Sequence, residues 1–171
     1  MPVTNVRNGW IADITWRYSL AMRVSDADDE SSYFAYSATL RIHGINLPFD
    51  EISLTLGVDP SHQHKTGERP RASARPYADD AWHFTAPIAE EIELTEHLRS
   101  LWQVVQPHVG YLTALTANVD VFCGYRTNNG AAGFSVEADA LEIFASLNVP
   151  FGVSVIVDSW LGERLDEPTK H

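Results

Sequence analysis

The stretch Phe34-Ala35-Tyr36-Ser37-Ala38-Thr39-Leu40-Arg41-Ile42-His43-Gly44 decides the fold. Phe34, Tyr36, Ala38, Leu40 and Ile42 occupy every second position, with Ser37, Thr39, Arg41 and His43 between them. Side chains on a strand alternate between faces, so this period of two predicts a long strand with one buried and one polar face. A helix would scatter the same apolar groups around its circumference. Upstream, Ile14, Trp16, Tyr18, Leu20, Met22 and Val24 repeat the alternation against Thr15, Arg17, Ser19, Ala21 and Arg23. The acidic run Ser25 to Ser32 separates the two stretches, which predicts an antiparallel hairpin. The polar faces either meet water or line a wet groove.

Downstream, Pro48 and Asp50 suit the start of a short helix carrying Phe49, Ile52 and Leu56, and Gly57 suits its end. Ser61 to Asp80 reads as a surface loop. It holds His62, His64, Lys65, Arg69, Arg71 and Arg75, a basic island in an acidic chain. Trp82-His83-Phe84 predicts a short strand. A long helix is expected from Ile88 to Val105, with Glu90, Glu91 and Glu93 in its first turns and Pro107 at its end. Val109, Leu112 and Leu115 continue as a second helical piece. Val119 to Arg126 predicts a strand with Val119, Val121, Cys123 and Tyr125 on one face. Ser135 is placed as the N-cap of a late helix that Asn148 ends, and Val149 to Val157 as the last strand. Strand, glycine turn and helix occur twice, at Thr39 to Pro60 and Val121 to Val157. The expectation is an α+β fold: an antiparallel or mixed sheet with helices on one face, ferredoxin-like in character, built from two βα half-units. Residues 1–171 are expected to form a single domain, with 1–10 and 159–171 frayed.

Among 171 residues there are 12 Lys and Arg against 23 Asp and Glu, a net charge of -11. Binding to nucleic acid needs a basic footprint, so that class is disfavoured, as is an anionic membrane surface. Acidity favours a basic protein partner. The single cysteine, Cys123, allows no intrachain disulfide, and no secretory leader is legible at the start, so a cytoplasmic location is expected.

The run Ala38-Thr39-Leu40-Arg41-Ile42-His43-Gly44, then Leu47 to Leu56, Gly57-Val58-Asp59-Pro60, His64-Lys65-Thr66-Gly67-Glu68 and Trp82, resembles domain-of-unknown-function family 4279. That family's pattern is a strand, a helix closed by Leu-Gly, a Lys-Gly-acid loop and a tryptophan-led strand. The resemblance extends roughly from Phe34 to Val157. It implies a small bacterial cytosolic protein and, for some members, immunity against a toxin.

No nucleophile elbow is present, and Cys123 lies on the apolar face of its strand, so no catalytic residue is assigned. His62-Gln63-His64 places two imidazoles on one side of an extended segment, but Cys123 or Asp59 would have to arrive from elsewhere, and no metal or cofactor is assigned. Gly124, Gly130 and Gly133 match no phosphate-binding spacing. Two functional readings remain. The first is a non-enzymatic binding protein, an immunity protein that neutralises a toxin or another basic protein. The alternative is a small-ligand binder or enzyme using the polar sheet face and the 61–80 loop. Arg41, His43, His62, His64, Lys65, Gly67, Glu68, Trp82 and His83 are the candidate binding residues. For Gly67 and Trp82 the simpler account is a turn and a core filler. A homodimer formed through a sheet edge or face is a third expectation.

Overall fold

The structure, a computed structural model, describes residues 32–158. The strand expected over Ile14 to Val24 and both expected frayed ends lie outside the described residues. The elements in chain order are strand β1 (Phe34–Gly44), helix α1 (Phe49–Leu56), strands β2 (His62–His64) and β3 (Asp80–Thr85), helices α2 (Leu94–Val105) and α3 (Val109–Ala114), strand β4 (Asn118–Thr127), helix α4 (Glu142–Leu147) and strand β5 (Val153–Val157). They build one five-stranded mixed sheet in the order β2-β3-β1-β4-β5. β1 is antiparallel to both β3 and β4, β2 is antiparallel to β3, and β5 is parallel to β4. The fold is α+β. Elements β1-α1-β2-β3-α2-β4 pair as a split βαββαβ unit, the ferredoxin-like arrangement, with α3 inserted before β4, and β4-α4-β5 adds one parallel strand. The long helix serves as the β3-to-β4 crossover and lies in the chain between β1-α1 and β4-α4-β5, which share the one sheet.

β1 is the centre because both its edges are filled. All ten residues from Phe34 to His43 pair with β4, and Thr39 to Gly44 pair with β3 on the other side. These pairings join β1 to strands distant in sequence, and the hairpin expected between Phe34–Ile42 and Ile14–Val24 involves residues outside those described. The part of β1 that β3 leaves unpaired explains a correction to the long helix. Ala86 N–H donates to Ala38 O (2.9 Å), and Tyr36 N–H donates to Glu90 O (2.7 Å). Residues 86–90 run beside β1 because its backbone groups need partners there. Pro87 also disfavours a helical residue before it. The long helix consequently starts at Leu94, not Ile88: Glu90 and Glu91 precede it, Glu93 is its N-cap residue, and Glu96 is the acid in its first turn.

The even residues of β1 point into the core: Ala38, Leu40 and Ile42 are fully buried. α2 lays Leu94, Leu98, Leu101 and Val105 against them, a spacing of four, three and four that makes one helical stripe. Each such side chain contributes about 1.5–3 kcal/mol by burial. Leu98→Ala removes transfer energy and leaves a cavity, at a cost of about 2–5 kcal/mol. α1 adds Ile52 and Leu56 and stops at Gly57, whose φ of 68° suits a residue without a Cβ. The late helix also starts beyond its expected cap, Ser135. Glu137 N–H donates to the Thr95 hydroxyl of α2 (3.3 Å), and Arg99 of α2 clasps both Asp139 oxygens at 2.8 and 2.9 Å. Those contacts commit the backbone to α2 first, and a short 3-10 turn, Ala138–Leu141, precedes α4. Asn148, at φ 54°, ends it as expected. Among the described residues no helix is long and apolar enough to cross a membrane.

Candidate functional site

Residues paired across a sheet share a face. The register therefore collects the polar positions of four strands on the side opposite the helices. β1 supplies Thr39, Arg41 and His43; β3 supplies His83 and Thr85; β2 supplies His62 and His64; β4 supplies Asp120 and Phe122. The buried apolar side chains of the helices join the core on the other face.

Four of the seven histidines meet here. His83 and His43 are diagonal neighbours on β3 and β1, with their Nε2 atoms 3.0 Å apart. His62 Nε2 lies 3.0 Å from His64 Nδ1 within β2. The rings of His62 and His83 connect the two pairs, with centroids 5.4 Å apart. At one end the Asp79 carboxylate lies 3.4 Å from His43 Nδ1, which favours a proton on that nitrogen and leaves Nε2 as acceptor for His83. At the other end His64 stacks on Tyr77, with centroids 3.5 Å apart. Burial, reinforced by the neighbouring His43, His62 and Arg41, pulls the pKa of His83 down to about 4. Burial also lowers that of His64. Both rings are neutral at pH 7. Beside the histidines Arg41 donates from Nε to Asp120 Oδ1 (2.7 Å), and its guanidinium lies 4.9 Å from the Phe122 ring centroid.

Five of the nine candidate residues thus share one surface: Arg41, His43, His62, His64 and His83. The other four lie elsewhere. Lys65 Nζ lies over the Phe49 ring, 5.7 Å from its centroid, and its backbone N–H donates to Glu68 Oε2 (3.0 Å). Gly67, at φ 85°, donates to Tyr77 O (2.9 Å) while Tyr77 N–H donates to Glu68 O (2.8 Å). The Lys65-Thr66-Gly67-Glu68 segment is therefore a turn clamped to the far side of its own loop. Trp82 points to the opposite face, fully buried, and its indole N–H donates to Ser53 Oγ at 3.0 Å. Cys123 is also on the core side, where burial pushes its thiol up to about 12. Asp59 lines a shallow depression of about 470 Å³ beside α1, together with Asp50, Ser53 and Gln63, and stands apart from the imidazole pairs.

Sequence reasoning missed Tyr77, Asp79, Asp120 and Phe122. Asp120 and Phe122 alternate with the apolar residues of β4 and were legible as its outward face. Their opposition to Arg41 and Thr39 follows only from the register. A smaller cavity of about 190 Å³ opens further along the sheet, lined by Ser37, Thr85, Glu90, His97, Gly124 and Arg126. The His97 ring is buried there, and neither of its nitrogens makes a hydrogen bond of good geometry. Among the described residues no group of three or more His, Cys, Asp or Glu side chains is arranged to hold a metal ion.

Searches of curated proteins and of solved structures each return no match. A family model does match, over residues 34–158, from the start of β1 to just past β5. The chain belongs to the family described as a domain of unknown function, DUF4279.

Proposed function

We propose that this protein is a non-enzymatic binding module whose polar sheet face docks a partner protein, and that it acts as an immunity protein by covering a basic toxin surface. The observation that carries this reading is the composition of that face. Arg41 stacks on Phe122 next to linked histidines; Arg41, Phe122, His43 and His83 are only partly buried and His62 is exposed. Arginine and aromatic groups backed by a rigid sheet are the side chains that dominate interface energetics. The net charge of -11 favours steering towards a basic partner. The test is co-expression with the product of the adjacent reading frame. Growth rescue and complex formation are expected for the unaltered chain. Arg41→Ala and Phe122→Ala should abolish both, while Leu54→Ala, on an exposed α1 position, should leave them intact. Failure of the unaltered chain to bind and to rescue counts against the reading.

One observation favours a second reading, a small-ligand binder. It is the cavity lined by Glu90, His97 and Arg126, with a buried imidazole that lacks a good partner. A metabolite panel that raises Tm, with the rise lost in His97→Phe, would support it.

A further inference from the structure

Two imidazole nitrogens that face each other from adjacent strands can both bind one metal ion once the hydrogen bond between them is released. His43 Nε2 and His83 Nε2 are 3.0 Å apart on the two central strands β1 and β3. Two nitrogens each held about 2.0–2.1 Å from one metal ion lie about 2.8–3.0 Å apart at a right angle and about 3.3–3.4 Å apart at the tetrahedral angle. The observed separation falls close to this range, and at nitrogen ligands the affinity order of the divalent ions places Cu²⁺ first and Ni²⁺ next. An N–H···N hydrogen bond spans the same distance, so binding exchanges that bond for two metal–nitrogen bonds while each ring turns towards the ion with the backbone in place.

We propose that His43 and His83 form a two-imidazole site for a divalent late transition-metal ion of square or octahedral preference, Cu²⁺ foremost and Ni²⁺ next. Asp79, 3.4 Å from His43 Nδ1, supplies the outer-shell carboxylate that fixes the tautomer presenting Nε2 to the ion. On binding, the proton shared between the two Nε2 atoms leaves that position. His83 stays neutral by carrying its proton on Nδ1, and no net proton is released. His62 is close but engaged, its Nε2 bonded to His64 Nδ1 at 3.0 Å. Water fills the other coordination positions, since no third side chain among the described residues converges with this pair. The site is independent of partner docking, because its readout is metal affinity and not rescue.

The experiment titrates Cu²⁺ and Ni²⁺ into the full chain, prepared without an added histidine tag, in a non-coordinating buffer at neutral pH. Expected are a rise in Tm and an electron paramagnetic resonance signal of Cu²⁺ with hyperfine splitting from two imidazole nitrogens. His43→Gln or His83→Gln should weaken affinity at least about tenfold, and Asp79→Asn about tenfold through the outer shell. His62→Gln and His64→Gln should change it less than about threefold. A measurement on the unaltered chain guards against misfolded variants: the ring signals of His43 and His83 should broaden first as either ion is added. The proposal fails if affinity survives in the His43→Gln, His83→Gln double variant with its fold intact. It fails equally if broadening begins at other histidines, or if the chain shows no ordered site at one equivalent.

Discussion

Asp80 Oδ1 accepts both hydrogen bonds that Thr66 can donate, from its backbone N–H at 2.7 Å and its hydroxyl at 2.9 Å. The other oxygen accepts Leu47 N–H at 2.9 Å. One carboxylate at the head of β3 thereby ties down both the turn after β1 and the loop after β2. These bonds, the Thr66 backbone first, hold its pKa below the usual 3.8. Asp80→Ala leaves two backbone donors unpaired, and Asp80→Asn turns an acceptor into a donor facing donors. Both variants should melt lower and be cut faster within residues 65–79 by a probing protease. The sign of the pH dependence follows from a depressed carboxylate: its contribution is present above 3.8 and lost as pH falls through the lower folded value. The gap in Tm between the unaltered chain and Asp80→Ala should therefore be constant from neutral pH down to the carboxylate range and narrow below it. A gap that widens in acid would overturn this account.

Trp82 fills the centre of the core and also makes its one polar contact there. It pairs with Ile42 across β1 and donates its indole N–H to Ser53 Oγ on α1 (3.0 Å). Trp82→Phe removes the hydrogen bond and part of the ring, at about 1–3 kcal/mol. Trp82→Ala costs about 3–5 kcal/mol. Ser53→Ala leaves the indole N–H unpaired, at about 1–3 kcal/mol. Because the two residues share one bond, Trp82→Phe and Ser53→Ala should combine to less than their sum in urea unfolding. Strict additivity would show that the contact does not bind α1 to the sheet.

The contrast between Trp82 and His83 shows what the sequence made legible. Alternation placed them on opposite faces, and α1, β3, β4 and the apolar stripe of α2 were all readable from periodicity. The pairing of β1 was not. Its partners lie tens of residues away, and a nearby alternating stretch was the simpler inference. The candidate site suffered the same way. His62 and His64 are neighbours in sequence, but His43 comes within 3.0 Å of His83 only through a register that no local pattern encodes. Helix starts were misplaced where tertiary contacts overrode local preference, as Tyr36 did by taking Glu90 O and Thr95 by taking Glu137 N–H.

Cys123 should be chemically silent in the folded chain. It faces the core from β4, fully buried, and burial alone pushes its thiol up to about 12. The thiolate is the reactive species, so both access and ionisation are denied to a reagent. Alkylation at slightly alkaline pH should be at least ~100-fold slower than in denaturant. Its rate should rise with urea in step with global unfolding. Rapid modification of the folded chain would show that the core opens locally at β4.

His83 should make stability depend on pH in the mildly acidic range. Its pKa is drawn down from 6.5 to about 4 by burial first and then by the nearby His43, His62 and Arg41. Below 6.5 the unfolded chain takes up a proton at this position and the folded chain does not, so acid favours unfolding. The contribution is present in full above 6.5 and is lost as pH falls towards about 4. His64, also lowered by burial, acts in the same direction. Urea midpoints measured between pH 4 and pH 7.5 should rise with pH, and His83→Gln should reduce that slope by up to about one proton. Carboxylates titrate in both chains and cancel in the difference. Identical slopes for the two chains would mean that His83 meets solvent freely and that the linked histidines do not form a shielded layer on the sheet.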